Sequence, residues 1–430
     1  MGEVFAGFRK SEVEGVPVLW LPDDRFKTFR IILAARRPLD ETAAARSLLP
    51  SLLMQGTANY PDRPALARQM ERLYGASVAP STGKVGEAHV LRFFVDCVAG
   101  QFLPDQPDQL ADGLGFLSEF LVRPRLEGDG YPKVAFERER LQAGHDARAI
   151  FDDRGAYASQ QALSLACEGE PMAIPEHGGV EAIEALDRAA PEQAREDFLR
   201  HGELLVTAMG ALPDGDAFTE HIAKFLRDLP ERQAQEVPPP VARSVEGRRS
   251  SIERVDLQQS KMVLVFRLPP TDDPTVWMGR ALFNSMLGGG PHSRLFREVR
   301  EKRSLAYYAQ AALDRHKSLL MVHVGLDEAA SADVESETLR QIDLLAAGDF
   351  SAEELQTARA GVLSMIATLT DGIRSHMQFV EDQWNLGLDR TPEDLARNYA
   401  AITSEIVQGS VDGLQLDYSF LLAPSGQADD

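Results

Sequence analysis

The chain has 430 residues with a formal net charge of −21; 44% are hydrophobic and 26% charged. That length and balance exclude wholesale disorder and allow more than one hydrophobic core. So acidic a surface repels phosphates and anionic lipid, so neither nucleic acid nor a membrane surface is expected as a partner.

Taken in chain order, Met1–Lys10 carries no apolar leader, and with two isolated cysteines, Cys97 and Cys167, a reducing cytoplasmic location is expected. Strand-like runs follow at Val16–Trp20 and Phe29–Leu33, then helix patterns over Asp40–Met54 and Ala65–Tyr74, each closed by glycine. A strand at Val90–Val95 and an amphipathic helix near 109–122 complete this unit. Pro238–Pro240 mark a linker, and 231–250 is read as a boundary between domains at 1–230 and 251–430.

Beyond the linker the plan repeats at an offset of about 230 residues. A strand spans Lys261–Leu268, and a helix at Asp273–Leu287 runs into Gly288-Gly289-Gly290. A second helix follows at Ser293–Lys302, then a turn at Leu305-Ala306, a strand over Ser318–Val324 and a helix near 331–347. Ser351-Ala352-Glu353-Glu354 reads as a capping box opening a helix toward Trp384, with Gly361 and Gly372 as weak points. Pro424–Asp430 reads as a frayed tail. Helices and strands without strict alternation predict an α+β fold of two tandem homologous domains, each a mostly antiparallel sheet with helices packed on one face.

Chemistry read from residues alone is sparse. None of the nine histidines has another at +3 or +4, and neither a zinc signature nor a nucleophile elbow is present. The three glycines serve either as a helix C-cap or as a loop that a ligand backbone approaches closely. The following segment, Arg297 to Tyr308, is either a solvated charged face, as in Glu298 with Lys302, or a source of donors for a carbonyl or oxyanion.

The composite Leu287-Gly288-Gly289-Gly290-Pro291-His292-Ser293-Arg294-Leu295-Phe296, with Val299-Arg300-Glu301-Lys302-Arg303-Ser304-Leu305-Ala306-Tyr307, closely resembles the C-terminal half of insulinase/pitrilysin-type zinc peptidases. The similarity is to the small two-domain branch that includes the mitochondrial processing peptidase, and it extends over nearly the whole chain. It implies two halves that form a clamp on an extended peptide. Arg300 and Tyr307 would hold substrate and stabilise an oxyanion, and Gly288, Gly289 and Gly290 would contact the peptide.

The family's H-x-x-E-H zinc motif is degenerate here. Leu53-Met54-Gln55-Gly56-Thr57 matches the run after it, so Ser47, Pro50 and Ser51 stand where the two histidines and the glutamate belong. Counting from Glu137-Arg138-Glu139-Arg140 puts Asp146 at the distal ligand position. Hydroxyls are weak zinc donors and proline offers no base, so no metal is expected in this chain. The resemblance implies a non-catalytic subunit that supplies Arg300 and Tyr307 in trans to a homologous zinc-bearing partner, with the zinc in that partner. A non-enzymatic homodimer that clamps a peptide or protein is the alternative.

Overall fold

The computed structural model describes residues 3–425. It contains strands β1 (Glu3–Phe5), β2 (Phe8–Val13), β3 (Val16–Pro22), β4 (Thr28–Pro38), β5 (Ser77–Val85), β6 (Ala88–Val98) and β7 (Glu203–Gly210) in one sheet. A second sheet contains β8 (Arg249–Val255), β9 (Ser260–Arg267), β10 (Ala306–Asp314), β11 (Leu319–Leu326) and β12 (Gln415–Pro424). The expected tail at Pro424–Asp430 lies outside the described residues after Ser425; Pro424 itself ends β12.

Two compact units result, neither continuous in sequence. The residues up to Arg148, Ile174–Pro239 and Leu369–Thr391 make one; Ala149–Ala173, Pro240–Thr368 and the residues from Pro392 on make the other. The chain passes from Pro239 to Pro240 inside the proline-rich segment, but it also crosses at four other places outside it.

The first unit's sheet runs in the order β1-β2-β3-β7-β4-β6-β5, antiparallel except for β3 with β7. Alternate residues of β4 (Phe29, Ile31, Leu33) and β6 (Leu91, Phe93, Val95) point into one core. There they meet Leu48 and Leu52 of the Ala43–Leu53 helix and Phe116 and Phe120 of the Gln109–Val122 helix. The residues between them face the other way. Arg92 of β6 donates to buried Glu381 on the Ile373–Asn385 helix at 2.8 Å, and the Phe8 ring meets His376 edge-on at 5.1 Å.

In the second unit the order is β10-β11-β9-β12-β8, antiparallel except for β12 with β8. Val263 and Val265 of β9, with Phe420 and Leu422 of β12, pack on Ala158, Ala162 and Ala166. These alanines recur every fourth residue and give the Arg154–Ala166 helix a flat face. The intervening Met262, Leu264 and Phe266 are buried as well.

The α+β class stands, with one correction: helices do not keep to one sheet face. Each sheet carries a helix from the opposite half of the chain, Ile373–Asn385 on the first and Arg154–Ala166 on the second. The uninterrupted apolar run Met262–Phe266 is the sequence sign of this, because a strand apolar on both faces needs cover on both. The long helix expected from Ser351 forms over Ala352–Ala367 with both capping-box bonds present. It breaks before Gly372, whose extended backbone (φ −133°, ψ 150°) starts the next helix, while Gly361 stays helical.

Candidate functional site

The degenerate zinc motif lies in the first unit, on the Ala43–Leu53 helix. Ser47 Oγ donates to the Ala44 carbonyl at 2.9 Å and Ser51 Oγ to the Leu48 carbonyl at 3.0 Å. Both hydroxyls are turned back on their own helix, a common way for mid-helix serines to satisfy themselves. Pro50 sits half-buried between them and offers the helix neither a carboxylate nor an N–H.

The distal position is occupied differently from the sequence count. Asp146 is exposed and accepts from Gln142 Nε2 at 2.8 Å, within its own helix, Lys133–Ala149. What that helix turns toward the motif is set by two contacts. Glu139 accepts from Gln55 Nε2 at 3.1 Å, and Ala147 packs with Ala44. Ala143 lies one turn from each, so an alanine, not Asp146, faces the level of Ser47 and Ser51.

This donor set does not fit zinc. Two hydroxyls already committed to carbonyls, a proline and an alanine supply no imidazole, thiolate or free carboxylate. Among the described residues no group of three or more His, Cys, Asp or Glu side chains is arranged to hold a metal ion. Purified chain incubated with zinc and dialysed is expected to retain well under one zinc per molecule, measured by elemental analysis. Stoichiometric zinc that disappears in Asp146→Ala would contradict this.

The second motif builds a pocket in the second unit. The Pro274–Gly288 helix starts on Asp273, whose side chain accepts from Thr275 N–H at 2.7 Å, with proline at its first position. At its other end Gly288 is required by packing, since a Cβ there would lie 2.2 Å from the backbone nitrogen of Ala311 on β10. Gly290 differs. Its φ of +150° favours glycine, and a Cβ there would meet nothing within 4 Å. A groove of about 410 Å³ opens beside it, lined by Gly288, Gly289 and Gly290 together with Phe296, Arg300 and Tyr308.

The segment after the loop is wound as a π-helix over Leu295–Lys302, a rare geometry that recurs at functional sites. Leu295 and Val299 are its buried residues, whereas Phe296 and Arg300 line the groove. The Arg300 guanidinium lies 4.6 Å above the Phe296 ring. Its neighbours are neutralised: Arg294 and Arg297 on Glu354 at 2.7 and 3.1 Å, Lys302 on Glu298 at 2.7 Å, Arg303 on Glu337 at 3.1 Å. Burial pushes the Glu354 carboxyl up, but bonds from Arg294 and the Ser351 backbone outweigh it and hold its pKa at about 2. Among the described residues Arg300 has no carboxylate partner.

Tyr307 is placed by a β-bulge. Pairing passes from Ala306 opposite Leu326 to Tyr308 opposite Gly325, leaving Tyr307 as the extra residue. It is 47% exposed, and its hydroxyl donates to Asp327 Oδ1 at 2.9 Å, a bond to a carboxylate that raises the phenol pKa. Tyr307 is not in the groove wall; the adjacent Tyr308 is, its ring laid over Gly325, where a Cβ would come within 2.3 Å. Neither Tyr308 nor Asp327 was singled out from sequence. Consecutive strand residues take opposite faces, but the bulge that sets which tyrosine takes which is invisible in the Tyr-Tyr pair.

Residues 208–362 match the family model described as the peptidase M16 inactive domain. This segment is similar to the peptidase M16 inactive domain. Its match covers the end of β7, the linker, the glycine loop, Arg300 and Tyr307. Over 96% of its length the chain is 26% identical to "Probable inactive metalloprotease YmfF" of Bacillus subtilis, covering 97% of that protein. The fold is shared with a conserved protein from Enterococcus faecalis (TM-score 0.88, 24% identity, 97% of this chain and 98% of that one). It is also shared with a peptidase M16 inactive domain from Pseudomonas fluorescens (TM-score 0.80, 19% identity, 97% and 98% covered). Family resemblance and the loss of the zinc ligands therefore agree. Among the described residues no helix is long and apolar enough to cross a membrane.

Proposed function

We propose that this M16-like chain is the metal-free, substrate-binding subunit of a two-chain zinc endopeptidase. One observation carries the reading. At a groove beside an open glycine loop, Arg300 has no carboxylate partner among the described residues while the other cations of its own segment, Arg294, Arg297, Lys302 and Arg303, are matched, and the chain's own zinc positions hold no ligands. An unmatched guanidinium beside accessible backbone suits a peptide carbonyl or a developing oxyanion. In this reading Gly290 lets the peptide backbone approach, Gly288 and Gly289 hold the loop in place, and Arg300 and Tyr307 act on a peptide bound at the partner's zinc.

The test is co-purification of the tagged chain from its native cell, followed by peptidase assays. The expected result is a companion with an intact H-x-x-E-H motif, and hydrolysis that needs both chains and stops with a chelator. Recovery of the chain only with itself would replace this reading by the homodimeric clamp. Hydrolysis by the pure chain in the presence of chelator would overturn both.

A further inference from the structure

A second groove, of about 1040 Å³, lies entirely within the first unit, between β2 and the Gly215–Arg227 helix. Its apolar lining is Val4, Val13, Trp20 and Ala223. Trp20 is held there by stacking on Phe218, with ring centroids 5.4 Å apart. The large exposed hydrophobic Val4, 56% accessible, stands at its edge. On the helix side Asp216, Glu220 and Ala223 succeed one another at spacings of four and three residues, so they form one stripe along the groove.

The charges around this floor do not cancel. Arg9 is matched by Asp214 at 2.8 Å, Lys10 by Glu3 at 2.6 Å, and Glu14 by Arg227 at 2.8 Å. Of the lining residues, Asp216 and Glu220 on the helix have no ion pair among the described residues. An apolar, aromatic floor with two unmatched carboxylates at its rim is complementary to an apolar chain bearing cations, whose ammonium or guanidinium groups reach the rim while the stems lie on the floor.

We infer that this groove docks a partner-protein segment of alternating apolar and lysine or arginine character. The inference does not rest on the peptidase reading, since no residue is shared with the Arg300 groove or the degenerate motif.

The probe is a fluorescein-labelled 14-residue leucine/lysine peptide, measured by anisotropy on the full chain, beside a serine/lysine peptide of equal charge. The leucine/lysine peptide is expected to bind at least tenfold more tightly than the serine/lysine one. The double variant Asp216→Asn, Glu220→Gln should weaken it at least tenfold. A charge-matched control at exposed sites elsewhere, Asp333→Asn with Glu71→Gln, should change it less than twofold. Ala223→Arg, which adds bulk and positive charge to the half-buried wall, should abolish binding without loss of the folded circular-dichroism spectrum. Equal affinity for the two peptides, equal loss in the two double variants, or unchanged binding in Ala223→Arg would each overturn the inference. These outcomes would reduce the attraction to the chain's overall negative charge.

Discussion

Glu170→Ala is expected to destabilise the second unit by about 3–5 kcal/mol, the usual consequence of removing one partner from a buried ion pair. Glu170 is 6% exposed and accepts from Arg267 Nη2 at 2.5 Å, while Lys317 Nζ lies 2.6 Å from its other oxygen. Arg267 in turn reaches Asp417 at 2.6 Å, and all four residues are buried. Without Glu170, the buried cations Arg267 on β9 and Lys317 before β11 would lose the carboxylate they share. Glu170→Gln, which keeps volume but not charge, is expected to recover only part of the loss. At about 2–4 °C per kcal/mol for units of this size, the alanine variant should melt on the order of 10 °C lower.

The same cluster sets a pH dependence. Burial pushes the Glu170 carboxyl up, but hydrogen bonds from Arg267 and Lys317 outweigh it, and its folded pKa ends below the ordinary value. Its contribution is therefore complete above the unfolded carboxylate pKa of about 4.3, and is lost as pH falls through the lower folded value. Denaturant midpoints for wild type and Glu170→Gln should converge as pH drops through that window. A constant gap down to acid pH would show that the carboxylate is not held as described.

The second large effect concerns the groove at Gly290. In the reconstituted two-chain peptidase, Arg300→Ala is expected to lower kcat/KM about 10²–10³-fold, the usual loss for a donor aimed at developing charge. Part should appear in KM, because a backbone anchor is lost as well. Tyr307→Phe should act on kcat, since it removes the hydroxyl and keeps the ring. That hydroxyl now donates to Asp327, so its proton must leave this acceptor before it serves a substrate. Companion zinc content and the mass of the complex should not change in either variant. Full turnover by both variants in an intact complex would reject the trans role. A change in melting temperature alone would mark them as packing residues.

How much of this was legible in the sequence depends on the range of the interaction concerned. Local signals held: the capping box at Ser351, and proline and Asp273 at the start of the Pro274–Gly288 helix. Each rests on residues within one or two turns of one another, and a caps-and-spacing argument needs no distant partner. The family resemblance likewise came from one continuous stretch, Leu287–Tyr307, and the match at 208–362 falls on it.

Long-range facts were not legible. β5 contains Pro80 and Gly83, poor strand formers, and pairs along β6 from Ser77 to Val85 because its partner supplies the register. Asp146 was chosen by counting, whereas Ala143 is set opposite the motif by packing at Ala147 and a hydrogen bond at Glu139. Tyr308 rather than Tyr307 enters the groove wall because β11 imposes a bulge. Composition and local spacing by themselves determined the fold class and the place of the glycine loop at the end of a helix. Which helix covers which sheet, which residue faces the motif and which tyrosine meets the groove were decided only by tertiary structure. A one-residue shift in register reverses the face of every side chain on a strand, and only the distant strand or helix that pairs with it selects the register.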